Sequence, residues 1–135
     1  LDSVGMRALD RSDFIYVISQ PILNYLKALI NLLGIFSELN YSRQRIKVVI
    51  NKFDIDSGLP VDKVVDLIGR DVDSNIPYDI LGVDESINSG MPIVKASKSS
   101  SVSMAIEDLC ETLLEVKRAP KSESVLSKIL HLKVG

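Results

Sequence analysis

Ile46-Lys47-Val48-Val49-Ile50-Asn51-Lys52-Phe53-Asp54 carries the pattern that decides the fold of this chain. Its first five residues are apolar except for Lys47, and they are rich in β-branched side chains. A continuous run of that kind, without polar alternation, reads as a strand buried on both faces of a parallel sheet. Asn51, Lys52 and Asp54 then place an amide, a cation and a carboxylate at its carboxyl end. Open parallel sheets take their ligands just beyond that end.

Working outward, Phe14-Ile15-Tyr16-Val17-Ile18 reads as another strand buried on both faces, stopped by Ser19-Gln20-Pro21. Pro21 fits the first turn of a following helix, where a missing N–H costs nothing. Ile22, Leu26, Leu29, Ile30, Leu33 and Phe36 form one stripe of that helix. Val61, Val64, Val65 and Ile68 predict a short helix ended by Gly69, and Asp71 to Ile76 a short strand stopped by Pro77. Helical signal returns from Val83 to Ile87, ending at Ser89-Gly90. It returns again with Val102, Ala105, Ile106, Leu109 and Leu113. Val4 to Ser12 reads as the end of a helix. Strands alternating with helices make this an α/β chain with a parallel sheet. Three strands make a narrow sheet whose edges need covering, and the chain opens at Leu1, not Met. Both features suggest a missing neighbour.

Composition narrows the class. The chain has 135 residues, 46% hydrophobic and 25% charged, with a net charge of −2. It can bury roughly two-thirds of its unfolded surface in one core, which excludes a disordered tail. Cys110 is the sole cysteine, so a disulfide scaffold is excluded and a reducing, cytoplasmic compartment fits. No apolar run reaches the ~18 residues of a membrane span. Four Tyr, three Phe and no Trp argue against a base-stacking nucleic-acid platform.

The chemistry concentrates at strand ends. The Asn51 amide can face a base edge as donor and acceptor, the Lys52 stem can lie across a flat ring, and Asp54 can receive ring N–H donors. Against this stands a structural alternative, in which Asn51 bonds backbone in a loop. Asp79 offers itself as cap of the following helix, and Pro77 fixes the chain before it. Lys98-Ser99-Ser100-Ser101 precedes a helix and suits an anion, but Ser100 or Ser101 serves equally as an ordinary N-cap. No lysine follows a glycine, so no Walker A loop occurs, nor does G-x-G-x-x-G. One His and one Cys far apart make no metal site, and His131 supports no hydrolytic triad. Cys110, beside the apolar face of its helix, reads as a small core residue.

Residues 117–135 differ from the rest. Lys117, Arg118, Lys121, Lys128 and Lys133 stand against Glu123 alone. Val125, Ile129 and Leu132 would form the apolar face of a short basic helix. Such a helix can lie on an anionic membrane, dock on a partner or pack on its own domain.

The ordered set Asp13 to Pro21, Val48-Val49-Ile50-Asn51-Lys52, Ile76-Pro77-Tyr78-Asp79, Ile87 to Pro92 and Lys98-Ser99 resembles the C-terminal half of MinD/ParA-type ATPases. The likeness is strongest to the pilus-assembly branch of TadZ/CpaE-like proteins and covers Leu1 to about Leu114. It implies a partial P-loop, Rossmann-like domain over residues 1–116, followed by the tail at 117–135. It also implies bound ATP with Mg²⁺, a homodimer when full length, pilus-assembly partners, and a role at the inner membrane or the cell pole. By resemblance, Asn51 contacts adenine, and Pro77 and Asp79 line the base pocket. The phosphate loop and the Mg²⁺ ligands would lie upstream of Leu1, leaving this chain without hydrolytic activity of its own. Members of that family commonly have Asn-Arg where Asn51-Lys52 stands here. Asp54 completes a GTPase-type NKxD, so a guanine site is the alternative; a non-catalytic interaction module is another.

Overall fold

A computed structural model describes residues 2–54 and 59–118. Its elements run α1 (Ser3–Arg11), β1 (Ile15–Ser19), α2 (Leu23–Glu38), β2 (Ile46–Phe53), α3 (Val61–Ile68), β3 (Ser74–Pro77), α4 (Ile80–Ser89), α5 (Ile93–Ala96) and α6 (Ser101–Arg118). The strands form one parallel sheet in the order β1-β2-β3. The expected α/β architecture is present.

β2 is the centre because both its faces are apolar. Ile46, Val48 and Ile50 pack under α2 and α3, against Leu26, Leu29, Phe36, Val64 and Ile68. On the other face Tyr16 and Lys47 line a small cavity together with Leu109 and Leu113 of α6. β1 departs from expectation. Ile15 is buried, but Ile18 is 64% exposed, and β1 has β2 on one side and, among the described residues, no strand on the other. Strand composition reports an apolar environment; it does not say which neighbour supplies it.

Several boundaries shift for local reasons. α1 is a full helix, not a helix end: Asp2 caps it by accepting from the Gly5 N–H at 2.7 Å. Pro21 lies outside α2, at the middle of a tight turn closed by the Ile22 N–H on the Gln20 carbonyl at 2.8 Å. β3 begins only at Ser74, because Asp73 serves β2 with its side chain. Its carboxylate accepts from the Val48 N–H at 2.8 Å and pairs with Lys47 at 3.2 Å. Pro77 does not stop the strand but ends it in register opposite Phe53, an edge position that tolerates a missing donor. Gly69 and Gly90 close α3 and α4 in the left-handed region, at φ 67° and 65°. Cys110 is exposed, not in the core, since it falls off the side of α6 that meets the sheet. α6 continues past position 116 to Arg118. The remainder of the basic tail at 117–135 lies outside the described residues, and the amphipathic helix expected there goes with it.

α1 is docked by two side chains from the loop before β2. Arg45 donates to the Leu9 carbonyl at 2.9 Å and to that of Ser12, and it lies over the Tyr41 ring. The Tyr41 hydroxyl donates to Asp10 at 2.5 Å. That hydrogen bond, more than desolvation, holds the Tyr41 hydroxyl above the usual tyrosine range, with Arg45 opposing. A raised value means the contribution is whole below the ordinary pKa of about 10 and fades as pH rises through the folded value. Urea midpoints of wild type and Tyr41→Phe should therefore differ at neutral pH and draw together only as pH rises above about 10. A constant difference would show that the hydroxyl plays no part.

Candidate functional site

Because the strands are parallel, Ser19, Phe53 and Pro77 reach the same end of the sheet. The chain there is irregular. Between Ile50 and Phe53 the register with β3 slips, and Lys52 adopts φ 55°. A lysine in the left-handed region costs on the order of 1 kcal/mol, and such residues concentrate at functional sites. The Lys52 N–H donates to the Asn51 Oδ1 at 2.9 Å. This bond orients the amide: one Oδ1 lone pair is taken by backbone, and the Nδ2 donors are left for another partner.

Among the described residues, two cavities open at this end. One, of about 380 Å³, is bounded by Asn51 with Ser19, Gln20, Tyr25 and the α2 side chains Ala28 and Leu32. The other, of about 330 Å³, is lined by Lys52 and Asp54 with Gln20, Pro21, Ile22 and Tyr78. Asn51 and Asp54 thus face different spaces, and Gln20 borders both. Pro77 and Asp79 line neither. The Asp79 Oδ1 accepts from the Gly82 N–H at 2.9 Å, making Asp79 the N-cap of α4. A Cβ on residue 82 would lie 2.5 Å from the Asp79 Oδ2, so glycine is what lets this cap close.

Ser19, Gln20, Tyr25 and Tyr78 line these cavities without having been singled out individually from the sequence. Ser19-Gln20 stood at a strand end, which was the available signal. The Lys98–Ser101 segment resolves as a cap: Ser100 Oγ accepts from the Ser103 N–H at 3.1 Å. Among the described residues no group of three or more His, Cys, Asp or Glu is arranged to hold a metal ion. Lys52→Gly should be neutral or stabilising by up to about 1 kcal/mol in urea denaturation, because glycine adopts positive φ freely. A loss of stability would show that the lysine side chain outweighs the strain.

With this geometry in place, the comparison with solved structures is direct. A ParA family ATPase from Chlorobium tepidum TLS matches with a TM-score of 0.73 and 30% identity over 80% of this chain. The fold is of the MinD/ParA type. The MinC:MinD cell division protein complex of Aquifex aeolicus gives a TM-score of 0.71 at 21% identity over 91% of the chain. The septum site-determining protein MinD complexed with Mg-ADP, from Pyrococcus horikoshii OT3, gives 0.70 at 18% over 87%. The chain spans about half the length of these MinD/ParA-type structures: 45%, 51% and 48%. No protein-family model and no curated protein matches it. Among the described residues, no helix is long and apolar enough to cross a membrane.

Proposed function

We propose that this chain is the base-binding half of a MinD/ParA-like ATPase, with Asn51 contacting adenine. The observation that carries the reading is the Asn51 amide, fixed by the Lys52 N–H at the carboxyl end of the central strand and bordering a cavity of about 380 Å³. Flat apolar walls and a few oriented polar groups are what a base requires. Pro77 and Asp79 contribute by setting the path of the β3–α4 connection. Phosphoryl transfer and Mg²⁺ binding belong to residues outside this chain, and the 135 residues alone should turn over no ATP. A homodimer of the full-length protein rests on the resemblance of the ordered segments. Work in pilus assembly, or in placing machinery at a pole or the inner membrane, rests on the resemblance of the ordered segments. Liposome co-sedimentation with and without residues 117–135 tests the membrane contact.

The guanine alternative requires Asn51 and Asp54 to read one ring. Their placement on separate cavities favours adenine. In competition on the intact protein, unlabelled ATP should displace labelled ATP at least about tenfold better than GTP, a difference of about 1.4 kcal/mol. Equal or better displacement by GTP rejects the adenine assignment.

A further inference from the structure

The end of the sheet opposite the base site carries a second constellation. The carboxyl half of α2, the Tyr41–Arg43 loop and the end of α3 bound a cavity of about 300 Å³. Ile30, Leu33, Ile68 and Gly34 supply apolar wall, Arg43 and Arg70 supply guanidiniums, and no carboxylate is among the lining residues. Arg70 is only 12% exposed. Its Nη2 donates to the Ile46 carbonyl at 2.7 Å and pairs with the Asp73 carboxylate at 3.8 Å, while its Nε is buried with no acceptor. Burial pushes its pKa down, with Asp73 opposing. A buried donor left unpaired is uncommon and costly. Arg43 donates to the Gly69 carbonyl at 2.9 Å, which holds it at the rim.

Gly34 adds an independent observation. It sits inside α2, where glycine costs about 1 kcal/mol relative to alanine. Its φ is not positive, and a Cβ built there meets nothing within 4 Å. Neither backbone nor packing within the described chain calls for glycine at that point. Its effect is to leave the cavity wall open.

We propose that this cavity binds a carboxylate carried on a short aliphatic body. The carboxylate lies between Arg43 and Arg70, and the body lies against Ile30, Leu33 and the Gly34 window. Two guanidiniums recognise a carboxylate through charge-assisted, paired hydrogen bonds. The volume suits a small molecule, and the aliphatic wall gains nothing from a bare inorganic ion.

Hexanoate, hexan-1-ol and inorganic phosphate are the probes, titrated calorimetrically into the intact protein. Hexanoate should bind at least about tenfold more tightly than either of the others, since each lacks one half of the recognised chemistry. Gly34→Leu should fill the cavity and abolish the signal. Arg43→Gln should weaken hexanoate about tenfold while the helical circular dichroism is retained. If Gly34→Leu does not fold, Arg43→Gln decides alone. No hexanoate binding, equal binding of phosphate, or hexanoate affinity unchanged in the folded variants overturns the proposal.

Discussion

Leu26→Ala is expected to lower the unfolding free energy by about 3–4 kcal/mol, within the range for buried leucine truncation. Leu26 is 1% exposed and belongs to the cluster that joins α2, β2 and α3 through Leu29, Val48, Ile50, Val64 and Ile68. Those neighbours are themselves held by strand pairing and two helices, so the vacated volume cannot collapse cheaply. The control is on the same helix. Leu23 is 55% exposed, and Leu23→Ala should cost under about 1 kcal/mol. Urea denaturation of the three proteins, at equal m-values, measures both differences. A cost below about 1 kcal/mol for Leu26→Ala would contradict the core as described.

Asn51→Asp should weaken nucleotide binding by about 30- to 100-fold, or about 2–3 kcal/mol, with almost no change in stability. The asymmetry follows from the Lys52 N–H bond to the Asn51 Oδ1. An aspartate keeps that acceptor, and so keeps the backbone turn. It replaces the Nδ2 donors with a negatively charged oxygen facing ring-nitrogen lone pairs. Asn51→Ala loses the donors as well, but it also strips the Lys52 N–H of its acceptor and should cost stability. Comparing the two variants by ATP titration and urea midpoints separates recognition from support. If Asn51→Asp binds ATP like wild type, the amide does not read the base.

Much of this architecture was legible because its causes are local. β2 is buried at Ile46 and from Val48 to Ile50, as its apolar run, interrupted only by Lys47, implies. α3 and α4 end on Gly69 and Gly90 because a left-handed cap needs no more than a glycine at the right offset. Asp79 and Ser100 cap their helices by the same short-range logic. The base site was legible as a strand end but not as a shape. Nothing in the letters Asn51-Lys52 announces a positive φ at the lysine, or a register slip that turns Asn51 and Asp54 toward different cavities. Asp73 escaped notice because its role depends on lying beside Val48, a contact between residues 25 positions apart. α5 is a single turn and too short to show a period.

The strand order β1-β2-β3 has a consequence for how the polypeptide reaches this state. Among the described residues β2 pairs with β1 and β3 with β2, so neither must wait for a later strand to be inserted between existing neighbours. On a ribosome the sheet can therefore grow by addition at one margin, with α2 and then α3 covering each new pair as it emerges. Synthesis and assembly can run in the same direction, and Asn51 to Phe53 are the last residues of the strand whose end forms the site.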